Sequence, residues 1–219
     1  MFNYSNEDFI REIKDFIVNC GRSETSAKIY AGKIRNLFES GYSVQDLCNS
    51  ADKLYKDYSE GGVLYDPADH NNTRSALRYV VKFVKSKLLV KYLHIRFDKG
   101  YSSFVPLDTY VANYTICGEI ITVGFAKGFG SAETVTGKLS LSDLRELYNI
   151  METAKRRNLF CDSGVVFNTI HGAEYTYTVE YDGDGVVCSG NIFSDDPESD
   201  NLRIRYNALI ERITDPLKP

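Results

Sequence analysis

The spacing of apolar residues changes near residue 91, and this change constrains the fold more than any single motif. Before that point, apolar side chains recur every three or four positions, which is the period of an amphipathic helix. Beyond it, segments rich in Thr, Val, Ile and aromatic residues alternate in polarity and are broken by glycine, which favours strands. The sequence therefore predicts an α+β protein, with a helical bundle over 1–91 and an α+β domain over 92–219.

Four to five helices are expected in the first part. Gly21 and Gly41 follow the first two helical patterns and suit the left-handed residue that ends a helix. Two short helices are predicted next, at Ser43–Cys48 and Ala51–Tyr58. A segment rich in Gly, Asp and Asn then predicts a loop, and the last helix is expected over 73–89.

An antiparallel strand meander is predicted to open the second part. Its segments combine β-branched and aromatic residues with alternating polarity. Sequential strands of this kind usually pair with their neighbours through short turns. We place the strands at Tyr92–Phe97, Ser103–Asn113, Tyr114–Val123 and Phe125–Gly137.

One central helix, a hairpin and a closing helix are predicted to complete the second part. The central helix spans Ser140–Arg157. The hairpin spans Tyr175–Asn191 and turns at either Asp182-Gly183 or Asp184-Gly185, because Asp-Gly pairs favour two-residue turns. The closing helix is expected over Asn201–Ile213.

Charge is divided unequally between the two parts. The chain has a formal net charge of −4, to which residues 1–91 contribute +2 and residues 92–219 contribute −6. Positive charge is concentrated in the segment from His70 to Lys91, which carries six basic residues and no acid. That segment is the strongest indication of a partner in the sequence.

The basic residues of the predicted last helix form one stripe. Their spacing of four, four and three positions places them on a single helical face. Apolar residues at helical spacing occupy the other side, so one face can pack while the other presents cations. The basic stripe consists of Arg74, Arg78, Lys82 and Lys85. The opposing apolar set is Leu77, Val80, Val81, Val84 and Leu88.

A row of cations is the pattern expected of a surface that neutralises a polyanion. The second helical pattern adds four basic residues, Arg22, Lys28, Lys33 and Arg35, and the last three are candidate contacts beside the basic stripe. The predicted partner is double-stranded DNA held by its phosphates, with RNA as an open alternative. A solvated helix face is the competing interpretation, since most charged helical stripes simply face water.

Four segments of the first part carry a likeness to a known family. They are the opening helix DFIREIKDFI, the turn and helix GRSETSAKIYAGKIRNLFES, the short helix SVQDL and the basic helix TRSALRYVVKFVKSKL. Through them the first part resembles the SAM-like core-binding domain of tyrosine recombinases, the phage integrases. That domain grips one face of duplex DNA through basic helices, so the likeness implies a binding role. The catalytic half of that family, with its His-x-x-Arg pair and Tyr nucleophile, has no counterpart in this sequence.

Two segments of the second part carry another likeness. GKLSLSDLRELYNIM contains a helix opening, and YTVEYDGDGVVCSGN contains a hairpin. Through these segments the second part resembles small, uncharacterised bacterial α+β domains. The likeness implies an α+β fold and no particular chemistry.

No catalytic, cofactor or metal site is predicted. The sequence lacks the paired cysteines of a zinc site and any local cluster of catalytic carboxylates, His and Cys. Five scattered cysteines, together with a beginning that lacks a signal-peptide pattern, indicate reduced thiols in a cytoplasmic protein. No stretch of 18 apolar residues occurs, so no membrane association is expected.

The function predicted from the sequence is that of a non-enzymatic nucleic-acid-binding accessory protein of a phage or mobile element. The alternative is a protein-interaction module, such as an anti-defence inhibitor of a host nuclease complex, that uses the acidic second part. Its candidate partner-binding residues are Asp195, Asp196 and Glu198. A solvated loop is the competing interpretation of these acids, because carboxylates favour the start of a helix.

Overall fold

The structure is a computed structural model that describes residues 4–100, 109–127, 132–161 and 175–219. The chain forms two compact units, Met1–Lys87 and Leu88–Pro219, so the division lies slightly before the predicted boundary at residue 91. The first unit is helical and the second combines a sheet with helices. The α+β class predicted from the sequence is confirmed.

Four α-helices build the first unit, and a short 3-10 helix at Pro67–Asp69 precedes the last of them. The first three helices each begin after a serine whose side chain accepts a hydrogen bond from a backbone N–H three residues on. Such caps satisfy one of the four N–H groups that a helix start leaves without a partner. The helices are α1 (Asn6–Asn19), α2 (Glu24–Glu39), α3 (Val44–Asp57) and α4 (Asn72–Leu88).

The two short helices predicted between residues 43 and 58 are in fact one helix, α3. Ser43 and Asp46 form a reciprocal capping box at its start, which fixes the first turn. Val44, Leu47, Cys48, Ala51 and Leu54 are all buried, so the apolar face continues past Asn49 and Ser50, the two residues between the predicted helices. Burial of this face outweighs the weak helix propensity of Asn49 and Ser50.

Aromatic rings form the centre of the first unit. Phe83 of α4 meets Phe9 and Phe16 of α1 edge to face, with ring centroids 5.7 and 5.4 Å apart. Such pairs are worth about 0.5–1.5 kcal/mol beyond the burial of their area. These contacts hold the inner face of α4 against α1 and leave its opposite face at the surface of the unit.

The second unit is a six-stranded antiparallel sheet with two helices, α5 (Leu141–Arg157) and α6 (Pro197–Thr214). The strand order is β4-β3-β2-β1-β5-β6, so the predicted meander is present and the hairpin pairs with its first strand. Tyr148 of α5 packs on Tyr181, and Tyr206 of α6 packs on Tyr177, on one face of the sheet. The strands are β1 (Leu93–Lys99), β2 (Thr109–Cys117), β3 (Ile120–Lys127), β4 (Glu133–Lys138), β5 (Tyr175–Tyr181) and β6 (Asp184–Ser189).

Two strand boundaries predicted from the sequence are wrong. β2 continues past the predicted break at residue 113, because Tyr114 and Ile116 keep the alternation that buries one side. The turn to β3 lies at Gly118, whose φ of 57° suits glycine. β3 in turn continues through the second predicted break, at Gly124, as far as Lys127. Parts of the predicted strands, residues 103–108 and 128–131, lie outside the described residues.

The structure shows which Asp-Gly pair forms the hairpin turn and corrects the predicted start of the closing helix. Asp182 and Gly183 both have positive φ, 51° and 89°, which places the turn at the first of the two Asp-Gly pairs. The closing helix begins earlier than predicted, at Pro197, with Asp196 as its cap. Proline suits the first helical position because the N–H that it lacks has no partner there.

Candidate nucleic-acid interface

The basic stripe lies on the outer face of α4, as its spacing predicts. Arg78 and Lys82 are exposed, while Arg74 and Lys85 are half-buried. Successive cations four positions apart are separated by about 6 Å along the helix axis. Four members of the predicted apolar set, Leu77, Val80, Val84 and Leu88, are buried, and Val81 is half-buried. The amphipathic division of the helix is therefore present.

Arg74 and Lys82 of the basic stripe contact tyrosine rings, and neither pairs with a carboxylate among the described residues. The Arg74 guanidinium lies 5.4 Å from the centre of the Tyr55 ring, and its Nη2 donates a 3.4 Å hydrogen bond to Tyr55 Oη. Lys82 Nζ lies 5.4 Å from the centre of the Tyr79 ring. A cation on an aromatic face gains about 0.5–1 kcal/mol at an exposed site and keeps its full charge.

The three candidate contacts on α2 do not lie together. Lys28 and Arg35 are seven positions apart and share one side of the helix, whereas Lys33 lies about 140° round the axis from Lys28. Arg35 pairs with Glu7 at 3.2 Å, and Lys33 pairs with Asp69 at 2.6 Å. Lys28 is exposed and has no ion-pair partner within the described part of the chain. The seven predicted contacts therefore occupy more than one surface of the first unit.

Lys33 has a structural contact that the sequence does not reveal. Asp69, whose side chain is 12% exposed, accepts a 2.6 Å hydrogen bond from the backbone N–H of Thr73 in the first turn of α4. Burial raises the pKa of Asp69, but the hydrogen bonds from Lys33 and Thr73 outweigh it and lower that pKa overall. Lys33 therefore helps to hold the start of α4 against α2.

Arg22 joins the surface around Tyr79, although the predicted set of contacts omits it. Its Nε donates a 2.7 Å hydrogen bond to Tyr79 Oη, and this bond raises the pKa of Arg22. Tyr30 of α2 stacks on the same ring, with centroids 5.8 Å apart. Arg22 and Tyr79 are 57 positions apart in the chain, and no local spacing links them. The sequence therefore contains no pattern from which the contact between Arg22 and Tyr79 could be predicted.

The cations of the first unit differ in whether a carboxylate pairs with them. Five do: Arg11 with Asp8, Lys14 with Glu24, Lys33 with Asp69, Arg35 with Glu7 and Lys87 with Glu12. Among the residues that the structure describes, no carboxylate lies at ion-pair distance from Arg22, Lys28, Lys53, Lys56, Arg74, Arg78 or Lys82. Four of these lie on α4 or donate a hydrogen bond to it, and we call Arg22, Arg74, Arg78 and Lys82 the unneutralised set. Its charge is available to an external anion without the loss of an internal ion pair.

The candidate partner-binding acids of the second unit make local contacts at the start of α6. Asp196 caps the helix by accepting a 2.8 Å hydrogen bond from the Glu198 backbone N–H. Glu198 lies 3.8 Å from Arg157, and Asp195 lies 3.9 Å from Arg203. These contacts are those of acids near a helix start. A partner-binding role for Asp195, Asp196 and Glu198 stays a prediction.

The described residues contain no cluster of three or more His, Cys, Asp or Glu side chains that could hold a metal ion. In the hairpin turn, Asp182 and Asp184 instead pair with Lys155 at 3.4 and 2.8 Å. Among the residues that the structure describes, the cysteines form no disulfide. In the described part of the chain, no helix has the length and apolar character needed to cross a membrane.

The chain was compared with models of protein families, with curated proteins and with solved structures. No match was found in any of the three. The likeness to recombinase core-binding domains and the likeness to bacterial α+β domains both stay predictions.

Proposed function

We propose that this protein is a non-enzymatic DNA-binding protein that holds duplex phosphates with the outer face of α4. The observation that supports the proposal is the unneutralised set, of which Arg74, Arg78 and Lys82 lie on α4. These residues lie four positions apart on one helical face. A helix with such a row of cations can follow the backbone of one DNA strand.

The physical argument concerns the free energy of forming contacts with phosphate. An ion-paired lysine must first lose its carboxylate, which for an exposed pair costs up to about 1 kcal/mol and reduces the net gain from binding a phosphate. A cation held on a tyrosine ring has no such carboxylate to lose, and its side chain is already ordered. Each contact releases counterions from the DNA, so binding is favourable and falls with salt.

The test is duplex binding by fluorescence anisotropy at several salt concentrations. Three phosphate contacts predict a slope of about −3 in the logarithm of the association constant against the logarithm of salt concentration. Reversing two charges in Arg78→Glu/Lys82→Glu is expected to weaken binding more than about tenfold and to reduce the slope by about two. Both residues are exposed, so the fold is expected to persist.

The matched control is Lys53→Glu/Lys56→Glu on α3, which changes the net charge of the chain by the same amount. Both lysines are exposed and have no carboxylate partner among the described residues, so each reversal is expected to change the free energy of unfolding by about 1 kcal/mol or less. Near-wild-type DNA binding by this control is expected. Equal loss in the two variants would show that net charge, and not the α4 surface, governs binding. Unchanged binding by Arg78→Glu/Lys82→Glu would overturn the proposal.

A further inference from the structure

We infer that Arg22 and Lys82 together form one phosphate-binding site organised by Tyr79. This inference rests on the proposed function, because it assigns a second element of the fold to the same DNA-binding surface. The ligand is a phosphate group, supplied either by a polynucleotide backbone or by a free polyphosphate. The site joins the turn before α2 to the outer face of α4.

Tyr79 brings the two cations together. Its hydroxyl accepts a 2.7 Å hydrogen bond from Arg22 Nε, while Lys82 Nζ lies 5.4 Å from the centre of its ring. The two cations come from different elements, yet both contact one side chain. A phosphate placed between them gains an interaction with each.

The Arg22 guanidinium is oriented for a two-point contact. Its Nε is used by Tyr79, and its two terminal nitrogens make no hydrogen bond to any residue that the structure describes. Those two nitrogens form the planar fork that matches two phosphate oxygens. Arg22 is exposed, so a ligand can reach it.

The charge around the site is not balanced within the described part of the first unit. The acid nearest in sequence to Arg22 is Glu24, and its carboxylate pairs with Lys14 at 3.2 Å. Two cations that share one ring repel each other, and a bound anion removes that repulsion. The site therefore favours an anion with more than one negative charge or with several acceptor oxygens.

Tyr79 is itself held firmly. It is only 5% exposed, and Tyr30 stacks against it at 5.8 Å. A fixed ring restricts the side chains that contact it, so less conformational entropy is lost when a phosphate binds. Tyr79 is therefore a positioning residue, whereas Arg22 and Lys82 are the contacts.

The first experiment compares Arg22→Gln with Lys53→Gln in duplex binding by the full chain. Each variant removes one exposed cation of the first unit, but within the described residues Lys53 makes no hydrogen bond or ring contact with Tyr79. We expect Arg22→Gln to weaken binding about tenfold and to reduce the salt slope by about one. Lys53→Gln is expected to change neither quantity appreciably. Equal effects of the two variants would overturn the assignment of Arg22.

The role of Tyr79 is tested with Tyr79→Phe, which keeps the ring but removes the acceptor for Arg22. The number of phosphate contacts stays the same, so the salt slope is expected to hold while affinity falls several-fold. An affinity equal to that of the wild type would show that Tyr79 does not position Arg22.

The second experiment separates the site from DNA binding. Pyrophosphate is titrated into the full chain at constant ionic strength, and the Arg22 Nε–H resonance is followed by ¹⁵N NMR. A saturable shift is expected, and Lys82→Gln, which leaves the Arg22 reporter in place, is expected to weaken it several-fold. The absence of a saturable shift in the wild type would overturn the site. If that shift occurs but duplex DNA does not bind, the phosphate site stands and the proposed function fails. If duplex binding depends on Arg78 and Lys82 but not on Arg22, the proposed function stands and the site fails.

Discussion

The Asp69 carboxylate links the start of α4 to α2. It pairs with Lys33 of α2 at 2.6 Å and accepts the Thr73 N–H at the start of α4 at 2.6 Å. The side chain is 12% exposed, so solvent screens these contacts less than it screens a pair at the open surface. The orientation of the basic stripe depends in part on this residue.

Asp69→Asn is expected to lower the free energy of unfolding by about 1–2 kcal/mol at neutral pH. The pKa of Asp69 is lowered in the folded state, so its contribution is present above the unfolded value of 3.8 and is lost as pH falls through the folded value. The stability difference between wild type and variant should therefore shrink below about pH 4. Urea denaturation followed by far-ultraviolet circular dichroism at several pH values measures it. A difference that does not vary with pH would contradict the assigned role.

Only part of the candidate surface could be predicted from residues alone. Arg74, Arg78 and Lys82 lie on one helix, so their common face follows from spacing within a single element. The partners of Lys33 and Arg22 lie 36 and 57 positions away in sequence, and such contacts are set by the packing of helices. Local periodicity carries no information about these contacts, so the sequence groups Lys33 with the basic stripe and omits Arg22 from the predicted contacts.

At the scale of elements, the pairing of β2 with β3 depends on a close approach. Asn113 lies opposite Gly124, and a Cβ added at Gly124 would come within 2.5–2.9 Å of the Asn113 amide. The register shifts between Val111 and Asn113, next to this pair. Any larger residue at position 124 therefore forces the Asn113 side chain to move.

Gly124→Ala is expected to destabilise the second unit by about 1–3 kcal/mol, because the Asn113 amide must move. Adding Asn113→Ala removes the clash, so the double variant should recover part of the loss. A double-mutant cycle in urea denaturation is expected to give a coupling free energy of about 1 kcal/mol or more. Simple addition of the two single effects would show that the close approach does not matter.

The elements that the sequence predicted well are those with local signals. Terminating glycines, an Asp-Gly turn and long apolar stripes predict α1, α2, α4, α5 and the hairpin. The errors occurred where tertiary burial overrides a local signal. Asn49 and Ser50 lie inside α3 and not between two helices, and Gly124 lies inside β3 and not between two strands.

At the scale of the whole molecule, the two units differ in charge. Residues 1–87 contain 13 basic and 12 acidic residues, whereas residues 88–219 contain 13 basic and 18 acidic residues. The unit that carries α4 is therefore nearly neutral. Positive potential over the outer face of α4 can arise only because basic residues are concentrated there and acids lie elsewhere. The acidic second unit repels a polyanion at long range, to an extent that salt reduces.

A fragment of residues 1–91 is therefore expected to bind duplex DNA at least as tightly as the full chain at low salt. The affinities of the two should converge as salt rises, because the repulsion from the second unit is screened. Anisotropy titrations of both proteins measure this, after circular dichroism has shown that the fragment is helical. A folded fragment that does not bind, beside a full chain that does, would place essential contacts in the second unit.

The position of β1 in the sheet has a consequence for synthesis of the chain. β1 pairs with β2 from His94 to Asp98 on one side and with β5 from Leu93 to Lys99 on the other. The ribosome synthesises β1 to β4 and α5 before β5, so one edge of β1 stays unpaired until β5 has been made. An unpaired edge is a template for another chain. A stalled nascent chain that ends after α5 thus exposes the middle of its future sheet, and completion of the hairpin removes this route to aggregation.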